Sequence, residues 1–225
     1  MTLSIVMPVL NEAAGIAAAL EALAPLRARG AEVIVADGGS RDGTADLARA
    51  LADRVLTAPR GRAAQMNAGA AVAHGDVLLF LHADTRLPDG ADALIRDAVA
   101  GARAWGRFDV AFDGGALPLV AVTMNLRSRL TGIATGDQAM FMTRDAFARA
   151  GGFPPIALME DVALSARLKR LSRPVCLRER VVTSPRRWQA HGAVRTVLTM
   201  WRLRLAFFLG ADPKRLARAY GHGRN

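Results

Sequence analysis

The chain has 225 residues, one cysteine (Cys176) and two lysines (Lys169 and Lys214). A single cysteine excludes an internal disulfide and any cysteine-built metal site, and it agrees with a reducing cytosol. There is no run of the ~20 uninterrupted apolar residues that a spanning helix needs. The nearest, Val197 to Leu209, is broken by Arg202 and Arg204. The N-terminus, Met1-Thr2-Leu3-Ser4, runs straight into a strand-like segment without a basic region or a cleavage site, so no signal peptide is expected. No Gly-x-Gly-x-x-Gly follows the first strand, which argues against a nicotinamide-dependent enzyme. Internal repeats and low-complexity linkers are also missing.

What is present is core-forming material. Hydrophobic residues make up 52% of the chain and charged residues 22%, which favours one full-sized core over disorder. The net charge of +10 is carried almost wholly by arginine. That balance suits phosphate-bearing ligands, anionic lipid surfaces or nucleic acid, although solvated surface arginines alone give the same excess.

Strand and helix patterns alternate over the first hundred residues. Strands are expected at 4–9, 32–37, 54–57 and 77–81, with helices over 12–29, 42–52, 62–73 and 91–100. Alternation at this spacing implies parallel pairing in a doubly wound α/β sheet. Beyond it, strands are expected at 103–112, 138–143 and 174–183, the last at a sheet edge. Helices are expected over 117–130 and 162–171, and over 194–220 with a break at Gly210. The economical division is one domain over 1–185 and a basic amphipathic helical tail over 186–225.

Polar residues stand where these strands end, and an open parallel sheet binds ligands there. Pro8-Val9-Leu10-Asn11-Glu12 closes the first strand; Asn11 and Glu12 suit ligand contact and helix capping alike. The second ends in Asp37-Gly38-Gly39-Ser40-Arg41-Asp42-Gly43-Thr44, whose glycines permit close backbone approach. Arg60 and Arg62 open a helix, where a phosphate is favoured. Asn67 is a poor helix former in mid-helix, which suggests a polar task or a solvent-facing position. The most apolar strand leads into Leu81-His82-Ala83-Asp84-Thr85, and Asp84 is well placed for a hard cation such as Mg²⁺ or Mn²⁺ that would hold a diphosphate.

In this order the three strand ends resemble the family 2 glycosyltransferases of GT-A fold, over roughly residues 3–170. The resemblance implies an α/β GT-A fold, a mostly parallel sheet flanked by helices, and a nucleotide-sugar donor, usually a UDP-sugar. Pro8, Val9, Asn11 and Glu12 would line the base and ribose pocket, with Asp37 bonded to the base. Gly38, Arg62, Asn67, His82, Ala83 and Asp84 would complete the donor site. The family's Asp-x-Asp metal motif is His82-Ala83-Asp84 here, so Asp84 alone would touch Mg²⁺ or Mn²⁺. Gly136, Asp137, Gln138 and Glu160 would face the acceptor. Asp161 would be the general base of an inverting transfer. The short chain and its His-Ala-Asp strand end are similar to a bacterial subgroup linked to arsenosugar or carotenoid-lipid (diaponeurosporenoate-type) glycosylation.

Arg186-Arg187-Trp188 resembles part of the Gln-x-x-Arg-Trp motif of processive relatives, but Ser184 stands in the glutamine's place, which argues against a polysaccharide synthase. In the tail, Val194, Val197, Leu198, Trp201, Leu205 and Phe208 share one helical face flanked by arginines. That pattern suits peripheral contact with an anionic membrane, such as the inner face of the cell membrane, or a contact with protein. A cytoplasmic protein with a hydroxyl acceptor, a lipid among the candidates, and no nucleic-acid partner is therefore expected. Two other classes compete. A nucleotidyltransferase needs a glycine-rich basic loop after the first strand, which residues 11–16 do not supply. A non-catalytic basic membrane- or nucleic-acid-binding module explains the charge but not the acids at the strand ends.

Overall fold

A computed structural model describes residues 1–115 and 117–221. The strands are β1 (Leu3–Val9), β2 (Glu32–Asp37), β3 (Arg54–Thr57), β4 (Val77–Phe80), β5 (Thr85–Arg86), β6 (Trp105–Phe112), β7 (Phe141–Thr143) and β8 (Val175–Thr183). The helices are α1 (Ala13–Glu21), α2 (Ala24–Ala28), α3 (Thr44–Arg49), α4 (Arg62–Val72), α5 (Ala91–Val99), α6 (Pro118–Thr131), α7 (Arg144–Arg149), α8 (Glu160–Leu168), α9 (Arg186–His191), α10 (Ala193–Phe208) and α11 (Pro213–Ala219).

One eight-stranded sheet runs β3-β2-β1-β4-β7-β6-β8-β5. β3, β2, β1 and β4 are parallel, β7 is antiparallel to both its neighbours, and β6 runs parallel to β8. Alternate side chains leave a strand on opposite faces, and the two core layers follow. Ile5, Met7, Val33, Val35 and Leu79 pack with Ile16, Leu20 and Ile95 on one face. Val6, Ile34, Leu78 and Phe80 pack with Met66, Ala70 and Leu164 on the other. α4 lies so close to β1 that a Cβ on Gly69 would stand 2.4 Å from Val6 Cγ1.

Three local readings need correction. The helix expected over 12–29 is two helices, because Pro25 fits only a first turn, where its missing N–H is not needed. The strand expected over 138–143 starts at Phe141, and Gly136–Gln138 forms a 3-10 turn closed by a capping box from Thr135. The alternation read into 103–112 is broken by Arg107, which is fully buried in β6. Its guanidinium pairs with Asp109 and bonds Ser128 Oγ at 3.0 Å and the Asn125 carbonyl at 3.2 Å, as a buried charge requires. The edge expected at 174–183 holds for most of β8, since β5 covers only its last two residues.

The tail is docked. Leu203 of α10 and Leu216 and Ala217 of α11 pack on Leu158 and Met159, immediately before α8. Residues 222–225 of the tail lie outside the described residues.

Candidate active site

The carboxyl ends of β1, β2 and β4 converge, and hydrogen bonds knit the first two together. Asn11 sits at φ +55°. Its N–H donates to Ser40 Oγ at 2.8 Å, and its Oδ1 accepts from Arg41 N–H at 3.0 Å. Glu12 N–H donates to Thr44 Oγ1 at 2.8 Å. Asp42 accepts from the first N–H of α1, Ala13, at 2.9 Å, so that helix is capped from a different loop. Neither Asn11 nor Glu12 caps α1 through its side chain. Asp37 is 4% exposed and accepts from Gly39 N–H, Ser40 N–H and Ser40 Oγ, bonds that shape its own turn.

Gln65 of α4 fastens both strands from below, donating through Nε2 to the carbonyls of Val9 at 2.7 Å and Ala36 at 2.9 Å. A Cβ on Gly38 would stand 3.1 Å from that amide. Pro8 is half-buried and Val9 buried along this seam. Asn67 clamps Phe153: Nδ2 donates to its carbonyl at 2.8 Å and Oδ1 accepts from its N–H at 2.9 Å. The polar task of Asn67 is thus to hold the loop before α8.

After β4 the chain faces two recesses. On one side Ala83 and Asp84 line an open groove with Glu12, Arg86, Ser184 and Arg186. Arg186 reaches both acids, 3.6 Å from Glu12 and 3.7 Å from Asp84. On the other side His82 lines a small enclosed cavity with Phe80, Gly136, Met140, Glu160 and Asp161. His82 Nδ1 lies 3.5 Å from Asp137 Oδ1. A Cβ on Gly136 would come within 2.6 Å of the His82 ring, so the ring sits where only glycine leaves room. Burial works against the His82 charge, but Asp137 outweighs it and holds the imidazole pKa above its ordinary value.

α8 begins at this cavity with two acids. Glu160 is 3% exposed and its Oε1 stands 3.0 Å from Arg62 Nε. Burial raises its pKa, Arg62 opposes that rise and Asp161 adds to it. Asp161 is oriented by two main-chain donors, Gly136 N–H at 2.8 Å to Oδ2 and Val162 N–H at 2.7 Å to Oδ1. Gln138 is fully buried and closes the capping box through Thr135 N–H at 3.3 Å. It holds the loop rather than opening onto the cavity.

Among the described residues no cluster of three or more His, Cys, Asp or Glu side chains is spaced for a metal ion. One carboxylate at a groove is the donor set expected for Mg²⁺ or Mn²⁺ held mainly by substrate phosphates and water, so Asp84 fits such an ion when it arrives with a diphosphate. His82 turns instead towards Asp137.

Sequence reasoning missed Arg186 as a site residue, although its motif had been noticed, and it missed Gln65, a lone polar side chain on the buried face of α4. Trp188 of the same motif stacks edge-on with Phe112 at 5.6 Å, while the Arg187 side chain lies outside the described residues.

Comparison with known proteins bears on the family and the fold. The profile "Glycosyl transferase family 2" matches residues 4–143. Succinoglycan biosynthesis protein ExoA of Rhizobium meliloti is 42% identical over 111 residues, covering 43% of this chain and 32% of that protein. Among solved structures, a Pyrobaculum calidifontis mannosyltransferase in complex with GDP-Man and Mn²⁺ superposes with TM-score 0.65 at 22% identity, over 91% of this chain and 60% of that one. S. aureus TarS in complex with UDP-GlcNAc gives TM-score 0.67 at 17% identity, over 82% and 58%. The chain thus spans about a third of the length of the curated relative and about three fifths of these structural neighbours. The fold is the GT-A α/β fold, and the chain belongs to glycosyl transferase family 2.

Proposed function

We propose that this family 2 chain is an inverting glycosyltransferase that moves a sugar from a nucleotide-sugar, a UDP-sugar in our reading, to an acceptor hydroxyl. The observation that carries the proposal is the division at the end of β4. Asp84 opens on the groove with Glu12 and Arg186, and His82, two residues earlier, opens on the cavity that holds Asp161. In this reading the donor lies on the groove side of that point and the acceptor on the Asp161 side.

In this reading Asp161 takes the proton from the acceptor hydroxyl. The freed oxygen bonds to the anomeric carbon from the face opposite the diphosphate, and the carbon–oxygen bond to that diphosphate breaks with its electron pair. The two N–H donors fix the direction in which the Asp161 carboxylate faces. Pro8, Val9, Asn11, Glu12, Asp37 and Gly38 shape the base and ribose pocket, and Arg186 meets the leaving diphosphate. Arg62 holds Glu160 on the acceptor side beside Asp137. Asp84 would hold Mg²⁺ or Mn²⁺ together with the diphosphate, and that ion neutralises charge on the leaving group when bound.

A lipid-borne hydroxyl is the acceptor class we favour, given the likeness to the arsenosugar- or carotenoid-lipid-linked subgroup. Among the described residues no helix is long and apolar enough to cross a membrane. α10 nevertheless exposes Leu198, Trp201, Leu205 and Phe208, and α6 exposes Leu126 and Leu130. With a basic chain, that surface suits peripheral contact with the anionic cytoplasmic face of a membrane.

Thermal shift with UDP and GDP, each with and without Mn²⁺, tests the donor half. The midpoint should rise with one nucleotide only when metal is present, and Asp84→Ala should remove the rise. A ligand at a hundred times its Kd adds about 2.7 kcal/mol, or roughly 5–10 °C for a chain of this size. A response to GDP alone would change the base; no response to either nucleotide would sink the reading.

A further inference from the structure

Three buried side-chain nitrogens among the described residues lack a hydrogen-bond partner: Nε and Nη2 of Arg127, and Nε of Arg204. They belong to different helices, α6 and α10. The two guanidinium groups lie within electrostatic range of each other; Arg127 also feels Asp161, and Arg204 feels Asp137. Elsewhere the fold pairs its buried arginines, as Arg107 shows with Asp109 and Ser128. Leaving buried N–H donors unmet is costly, more so for charged groups, and two neighbouring cations add repulsion. Burial and the proximity of Arg204 pull the Arg127 pKa down to about 10. Neither residue lines the Asp84 groove or the Asp161 cavity; the acids they feel are Asp161 and Asp137.

We propose that Arg127 and Arg204 form an oxyanion subsite beside Asp161 for a phosphate-type acid group carried by the acceptor. Paired guanidinium forks match the geometry of a phosphate. A doubly charged anion between them satisfies the orphaned N–H groups and cancels the repulsion. The helices that supply the arginines also carry exposed apolar residues, Leu126 and Leu130 on α6 and Leu198 and Leu205 on α10. An acceptor with an acid group and a hydrocarbon chain would find both chemistries on the same two helices. The assignment of the anion to the acceptor rests on the glycosyltransferase reading above; the anion site itself does not.

The test is thermal shift of the full chain with inorganic phosphate against chloride at constant ionic strength. Phosphate should raise the midpoint of the unaltered protein by about 5–10 °C at a hundred-fold excess over its Kd. The double variant Arg127→Met/Arg204→Met should lose that rise, and without phosphate it should melt higher than the unaltered chain, because unpaired buried charge has been replaced by apolar volume. A charge-matched double on exposed residues, Arg178→Met/Arg215→Met, should keep the phosphate response, and so should Arg186→Gln. The proposal is overturned if phosphate has no effect, if the response survives in Arg127→Met/Arg204→Met, or if Arg186→Gln abolishes it. Flotation with phosphatidylcholine vesicles with and without phosphatidic acid then identifies the source. Retention by phosphatidic acid that depends on the arginine pair supports a lipid headgroup; a phosphate response without such retention supports a water-soluble acceptor. A nucleotide shift that stays normal while phosphate has no effect removes this inference and leaves the glycosyltransferase reading standing.

Discussion

The ends of β1 and β2, which we propose hold the donor, and the region around α8, which we propose faces the acceptor, treat their polar groups in opposite ways. At the ends of β1 and β2 most of the polar groups are met inside the protein: Asn11 by Ser40 and Arg41, Asp37 by its own turn, and Gln65 by two carbonyls. On the acceptor side Arg127 and Arg204 have unmet donors and the Glu160 pKa is raised by burial. Among the described residues, three of the four non-glycine residues with positive φ, Leu117, Ala139 and Met159, belong to the second half of the chain, each held in a conformation that costs of order 1–3 kcal/mol. The difference teaches that the β1–β2 end satisfies its polar groups internally, while the α6–α10 side keeps unmet charge that, in our reading, a ligand would meet.

The sharpest way to break this comparison is Asp161→Asn. The expected result is a loss of transfer of ~10²–10⁴-fold with nucleotide binding unchanged, read by turnover beside thermal shift. Equal loss of nucleotide binding would mean that the two sides are not separate, and persisting transfer would move the base to Asp137 or Glu160.

Two glycines sharpen it further. Gly69→Ala drives a Cβ into Val6, which stands 2.4 Å away. Overpacking of this kind costs about 1–3 kcal/mol, so the melting temperature should fall while transfer by the folded fraction is kept. Gly136→Ala instead pushes on the His82 ring at 2.6 Å. A displacement approaching 1 Å can lower transfer by about 100-fold, with a smaller change in melting. The reverse pattern would place the rigid half on the acceptor side.

The smallest effect is a matter of sign with pH. Glu160 has a raised pKa, so its contribution to stability is present below the ordinary value of 4.5 and lost as pH rises through the raised value. Glu32, at the amino end of β2, is pushed up by burial, but bonds from Ser4 and His74 outweigh that and lower it. Its contribution is present above 4.5 and lost as pH falls through the lowered value. Melting curves between about pH 3 and 7 should therefore show Glu32→Gln losing ground as pH rises towards 4.5, and Glu160→Gln gaining on the unaltered chain as pH rises above 4.5. Parallel pH profiles for the two variants would contradict the contrast.

The first hundred residues were legible because local pattern and tertiary outcome agree there. Apolar runs bounded by Gly, Asn and Asp specify parallel strands, and the acids that follow them must stand at the sheet's carboxyl edge. Asp84 could be located that way, whereas Glu160 and Asp161, at the start of α8, came only from the family resemblance. The sequence by itself thus determined the α/β class, the strand ends and the family resemblance. It could not separate the uses of polar residues. Asn67 bonds Phe153, 86 residues away, and Gln138 serves a capping box, yet each looks as much like a ligand contact as Glu12 does. Arg186 meets Glu12 and Asp84 only because β8 returns beside β5. Arg127 and Arg204, 77 positions apart, become neighbours only when the tail docks on the start of α8. Those facts belong to tertiary structure alone, because periodicity fixes which face of an element is buried, while only the packing of one element on another fixes which charges share a site.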